Sequence, residues 1–223
     1  MITLLPDECR VFGVLVEKAQ TTPQQYPLTL NGLTVGCNQK NNRFPVVEWD
    51  DDRVYDALDG LRAKKLVNEV NLTGSRVPKF KHNAREVLGV DTSQLILLTE
   101  LLLRGPQSAG DLRSRASRMH PLESLEIVQD VLEALIKRDP PMVKELPPQP
   151  GTRAKRYVQL LCTDLHKLDA VSPGEADAEP HCSAMSAPSA SADVLHRLSA
   201  LESHVQQLEE ALNRLAARLG EQL

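Results

Sequence analysis

Aromatic side chains are scarce in this 223-residue chain, with one Trp, three Tyr and three Phe. Stacking single-stranded bases requires exposed rings, so the shortage argues against that class of nucleic-acid binder. Cysteine is equally thin. Cys9, Cys37, Cys162 and Cys182 stand far apart with no CxxC pair, which suggests neither a zinc site nor a small disulfide framework. No apolar run reaches membrane-spanning length, and the opening MITLL has no basic flank and is stopped by Pro6, Asp7 and Glu8. The expectation is a cytoplasmic protein without membrane contact.

Catalytic patterns are missing too. The sequence offers no nucleophile with its base, no carboxylate pair and no metal cluster. Of the six histidines, His166, His181, His196 and His204 fall in tracts expected to be linker or coil, leaving His82 and His120. The stretch GTRAKR (151–156) lacks the GxxxxGK[ST] order of a phosphate loop and sits between strands instead of opening a helix. We expect a non-enzymatic protein with no cofactor and no bound metal.

A strong basic excess is also lacking. The formal net charge is −4, but it is distributed unevenly. Residues 1–88 carry 12 Lys/Arg against 11 Asp/Glu, residues 89–162 carry 10 against 9, and residues 163–223 carry 4 against 10. Neither of the first two segments has the basic footprint of a tight nucleic-acid binder.

What is present is a pattern that occurs twice. PDECRVFGVLVEK places Cys9, Phe12, Val16 and Ala19 on one helical face behind Pro6 and two acids. Thr29 can cap a second helix over Leu30–Cys37, and NQKNNRFP breaks it. Asp50 can cap a third helix with Val54, Leu58, Leu61 and Leu66 facing inward. LVNEV (66–70) and VPKFKH (77–82) then flank a Gly-Ser tip as a hairpin. In the second copy, Asp91 or Thr92 caps a helix with Leu95, Leu98 and Leu102 inward, and Gly105-Pro106 ends it. Ser108 caps AGDLRSRAS, and LESLEIVQDVLEALIKRD follows with Leu125, Val128, Leu132, Leu135 and Ile136 as its buried stripe. MVKEL and KRYVQL close the copy as a second hairpin. Helix, helix, helix, hairpin is the order of a winged helix-turn-helix.

The strings EKAQTTPQQYPLTLNGL, CNQKNNR, GSRVPKFKH and LLLRGPQSAGDLRSRASRMHP resemble the bacterial YceH-like family, over about residues 4–161. That resemblance implies a double winged-helix architecture and no assigned activity. The expected fold is mainly α with small β-hairpins (α+β): winged-helix domains at 1–88 and 89–162, a flexible acidic linker at 163–192 and a coiled-coil helix at 193–220.

The linker is rich in Ala, Ser, Pro and acids, and cannot bury enough apolar surface to offset its ordering entropy. Beyond it, Val194, Leu198, Leu201, Val205, Leu208, Leu212, Leu215 and Leu219 alternate spacings of four and three, which is a heptad seam. The same helix docked back onto its own domains is the rival reading. In a parallel dimer Arg197 faces Glu202 and His204 faces Glu209 of the partner helix, so self-association is favoured.

Basic residues recur at matching places in the two copies: Lys40 and Arg43 before the third helix, with Arg76, Lys79 and Lys81 on the first wing; then Arg113, Arg115 and Arg118, with Arg153, Lys155 and Arg156 on the second wing. The third helices are acidic, with Asp50, Asp51, Asp52, Asp56 and Asp59 in one and Glu123, Glu126, Asp130 and Glu133 in the other. Carboxylates are repelled from a phosphate-lined groove, so weak, salt-sensitive contact with double-stranded DNA through turns and wings is the expected mode. A protein partner is the alternative, with the chain serving as an adaptor or scaffold. Deleting residues 190–223 should lower the mass measured by sedimentation equilibrium from a multiple of the chain mass to that of a single truncated chain, and an unchanged multiple would remove the coil from the assembly.

Overall fold

Helix α1 (Pro6–Thr21) starts where Pro6 presets the helical φ and where Asp7 and Glu8 face the positive end of the helix dipole. The Glu8 carboxylate reaches back to accept from the Leu5 backbone N–H at 2.7 Å. A short strand β1 (Leu28–Thr29) leads directly into α2 (Leu30–Cys37), whose first turn is capped by Thr29 Oγ1 accepting from Gly32 N–H at 3.2 Å. Asp50 caps α3 (Asp51–Ala63) by accepting from Arg53 N–H at 3.0 Å. Strands β2 (Val67–Val70) and β3 (Lys79–His82) form the hairpin, and a single-turn helix α4 (Ala84–Leu88) leads out of it. The computed structural model describes residues 2–71, 77–148 and 151–166, all of which fall in one compact unit spanning 1–172.

The second copy repeats the plan. Asp91 caps α5 (Thr92–Arg104), accepting from Gln94 N–H at 2.8 Å while the Gln94 side chain accepts from Asp91 N–H. Gly105, at φ +81°, ends the helix. Strand β4 (Gln107–Ser108) precedes α6 (Ala109–Ala116), and Ser108 is the cap. Ser124 caps α7 (Leu125–Lys137), and β5 (Val143–Leu146) and β6 (Arg156–Gln159) form the second hairpin. Each copy therefore contains a three-stranded antiparallel sheet in the order β1-β3-β2 or β4-β6-β5. Apolar spacing predicts only the hairpins, because a third strand of two residues is too short to show an alternating pattern.

The two copies share one continuous core, because α1 packs on α5. Residues Glu8–Glu17 of α1 and Leu95–Leu103 of α5 are all buried, so neither helix has the single inward face that its apolar spacing indicated. A helix covered on all sides is the expected result when the two copies pack back to back on their first helices. Gly13 permits the approach: a Cβ there would lie 2.8 Å from Leu103 Cδ2. On α7, Val128, Leu132 and Leu135 are buried as the spacing implied. Leu125, the first residue of the helix, is instead 37% exposed.

The packed chain continues past β6. Leu4 N–H donates to Leu161 O at 2.7 Å, tying the amino-terminal segment to the end of the second sheet. His166, expected from sequence in an unstructured linker, is buried against Gly105 and stacked at 15° on Phe44, with ring centroids 6.2 Å apart. Burial pushes its imidazole down to about 4, so it is neutral at pH 7. The expected linker from residue 167 onward and the heptad seam Val194–Leu219 lie outside the described residues.

Candidate nucleic-acid interface

Side chains of one type at matching positions do not share one environment. Lys40, in the turn after α2, and Lys81, on β3, are exposed, and Lys79 is half-buried. Arg153 is exposed and Arg156 half-buried at the second hairpin, where Lys155 is held 3.0 Å from Glu145. Arg76 lies outside the described residues. Arg113 donates to the carbonyls of Leu122 (3.4 Å) and Glu123 (3.0 Å), and Arg115 donates to Gln107 Oε1 at 2.9 Å. These contacts occupy part of each fork but leave both near the surface.

Arg43 and Arg118 differ from the expectation. Arg43 is buried, donating from both terminal nitrogens to Glu17, to Gln39 Oε1 at 2.9 Å, and from Nε to Gly36 O at 3.1 Å. Its guanidinium braces the loop between α2 and α3 and has no donor left for a phosphate. Arg118, in the turn after α6, lies between two carboxylates, 2.6 Å from Glu17 and 2.8 Å from Glu100. About a third of the Arg118 side chain reaches solvent, but its charge is committed inward.

The two glutamates explain this. Glu17 follows Leu15-Val16 on α1 and Glu100 follows Leu98-Thr99 on α5, so they are the same position of the repeated pattern. Glu17 is 1% exposed and Glu100 is fully buried. A carboxylate in that environment needs positive partners. Each takes one from the turn after its own second helix, Arg43 for Glu17 and Arg118 for Glu100, and Arg118 serves both copies at once. Arg104 adds a charge contact of 3.2 Å to Glu100 without hydrogen-bond alignment, and it donates to Asn42 across the copies. Burial alone raises the Glu17 carboxyl, but the hydrogen bonds and charges of Arg43 and Arg118 outweigh it and hold the group below the usual carboxylate range.

Sequence reasoning missed this network. Glu100 interrupts the run LILLTELLL, and that interruption was its signal, whereas Glu17 closes VFGVLV beside Lys18 and carries no such mark. The partners lie 26 and 101 positions away and cannot be paired without the fold. Cys9 and Cys162, far apart in sequence, are hydrogen-bonded neighbours within the core. Burial pushes the Cys9 thiol well up, and the hydrogen bond to Cys9 brings Cys162 down to about 7. Among the described residues no group of three or more His, Cys, Asp or Glu is placed to hold a metal ion, and no helix is long and apolar enough to cross a membrane.

A family model described as "Protein of unknown function, DUF480" matches residues 4–152. A UPF0502 protein of Burkholderia multivorans is 43% identical over 218 residues, covering 97% of this chain and 89% of its own length. One of Paraburkholderia xenovorans is 42% identical over 219 residues, with coverage of 98% and 89%. One of Geotalea daltonii is 47% identical over 172 residues, with coverage of 77% and 78%.

Replacing Arg43 with Met should cost up to about 3 to 5 kcal/mol of folding stability, because it removes the hydrogen bonds of one cation from a buried carboxylate and leaves Arg118 as its remaining ion-pair partner. The same change at exposed Lys40 should stay within about 0.5 kcal/mol. Urea titration compares the two, and equal costs would show that Glu17 does not depend on Arg43. The pH dependence follows from the depressed Glu17 group. Its contribution is complete above the unfolded value of about 4.3 and is lost as pH falls through the lower folded value. Thermal melts of Glu17→Gln should therefore be less stable than the parent at neutral pH, and the difference should shrink in acid.

Proposed function

The chain belongs to the UPF0502 family, and from that premise we propose that it is a non-enzymatic, DNA-associated regulator. It consists of two tandem winged helices, dimerises through its C-terminal heptads and acts in the cytoplasm. One observation carries the reading: exposed basic side chains occupy the hairpin of each copy, Lys81 on β3 and Arg153 at the approach to β6, with Lys40 adding a third position. In a winged helix the hairpin lies beside the bound duplex and can reach phosphates.

Support also comes from the repeated order of elements and from the two sheets, which have the same strand order. The third helices are poor groove readers. Asp51, Asp52, Asp56 and Asp59 on α3 and Glu126, Asp130 and Glu133 on α7 are exposed. Contacts made by the hairpins alone position a protein on DNA without selecting a sequence. A coiled-coil dimer would double the contacts and raise avidity without a new contact type.

A second reading, a protein-binding adaptor, is favoured by a different feature. Tyr55 on α3, between Asp52 and Asp56, is 42% exposed, and Val35 on α2 is 60% exposed. Apolar side chains among carboxylates suit a basic, partly apolar protein surface better than they suit phosphates.

Fluorescence anisotropy with a labelled random-sequence duplex separates the two readings. Binding through Lys40, Lys79, Lys81 and Arg153 should fall with salt at a log–log slope of about −3 to −4 per protomer. Lys81→Glu combined with Arg153→Glu should flatten that slope. No binding at about 50 mM salt would reject the DNA reading.

A further inference from the structure

A cleft of about 440 Å³ opens between the start of α1, the segment 45–49 before α3 and the turn at 164–165. Its size is within the range of small-molecule sites. At its floor is Arg10, 2% exposed. The terminal nitrogens of Arg10 donate to the carbonyls of Cys37 and Pro45, but neither carbonyl carries a charge, and its Nε–H has no partner. Among the described residues no carboxylate forms an ion pair with Arg10, whereas each of the buried glutamates Glu8, Glu17 and Glu100 has one with a Lys or Arg. A buried guanidinium without a counter-ion is costly, and an entering anion relieves that cost. Burial, followed by repulsion from Arg43, lowers the Arg10 group to about 10 and outweighs the opposite effects of Cys37 and Glu17.

The walls restrict what such an anion can be. Pro45, Val47 and Leu165 offer apolar surface, and Trp49 forms one side. Arg53 covers the Trp49 ring at 4.7 Å and is neutralised by two hydrogen bonds to Asp7, at 2.7 and 3.0 Å. The charges left at the mouth are Glu48 and Asp164, both exposed. They repel a simple anion and attract an amine.

We propose that this cleft binds a small amphoteric molecule of the apolar amino-acid class, its carboxylate on Arg10, its ammonium between Glu48 and Asp164, and its side chain against Pro45 and Val47. The site requires no DNA and stands or falls separately from the regulator reading.

Trp49 is the only tryptophan of the chain, so its fluorescence reports this cleft alone. The full-length protein is titrated with three probes: L-phenylalanine, 3-phenylpropionate, which lacks the amine, and phenethylamine, which lacks the carboxylate. L-phenylalanine should give a saturable change, 3-phenylpropionate should bind about tenfold more weakly, and phenethylamine should not saturate. Arg10→Gln should abolish the L-phenylalanine response. Because Arg10 is buried, the surface pair Glu48→Gln with Asp164→Asn gives an independent reading and should remove the preference for L-phenylalanine over 3-phenylpropionate. The proposal is overturned if L-phenylalanine does not saturate at millimolar concentration, if phenethylamine binds as tightly, or if the surface pair leaves the preference unchanged.

Discussion

Two glutamates at one repeated position, Glu17 on α1 and Glu100 on α5, are buried where the copies meet, and Arg118 lies within 2.8 Å of both. Much of the described fold can be derived from that constraint. Buried carboxylates require cations, so the turns after α2 and α6 must bring Arg43 and Arg118 inward. Those turns in turn set where α3 and α7 begin. Ion pairs of this kind add little net stability over apolar packing, but they penalise any arrangement that separates the partners. The register of α1 on α5 is therefore specified by charge as well as by the close contact at Gly13.

The same constraint changes the character of the surface. Counting basic residues by position gives four matching clusters, two in each copy. Two of the strongest members, Arg43 and Arg118, neutralise internal carboxylates and are not free to meet a polyanion. What remains exposed among those candidates is Lys40 and Lys81 in the first copy and Arg153 in the second, with Arg113 and Lys155 exposed but already engaged by backbone carbonyls and by Glu145. The proposed contact with DNA is therefore one of weak positioning by the hairpins and not of groove reading by α3 or α7. Arg10 shows the opposite case, a cation taken into the interior without a carboxylate, at a cleft where the missing charge can come from outside.

Local features of the fold were legible because local chemistry fixed them. Thr29, Asp50 and Ser108 each cap the helix that follows, and Asp91 caps α5, since short polar side chains can satisfy free N–H groups only at that place, whereas the cap of α7, Ser124, lay inside the stretch LESLEIV that reads as helix from Leu122. Hairpin strands emerged from their apolar residues to within two positions. Features that depend on distant partners were hidden. Burial of α1 on every side depends on α5, and His166 resembles linker until Gly105 leaves room for its ring. Arg43 has the composition of a surface residue, and only the position of Glu17 explains why it is inside. The cleft at Arg10 left no mark in the sequence, because its walls come from three separate segments.

If the charge network and the α1–α5 contact make the two copies one cooperative unit, they must lose structure together. Guanidinium unfolding of the full-length protein can be followed by the fluorescence of Trp49, which lies in the first copy. Pulsed hydrogen exchange read by mass spectrometry on peptides of α7 and β6 follows the second. Coincident midpoints are the expected result. Protection of α7 persisting after the Trp49 transition is complete would show two independent domains and contradict the central role of Glu17, Arg118 and Glu100.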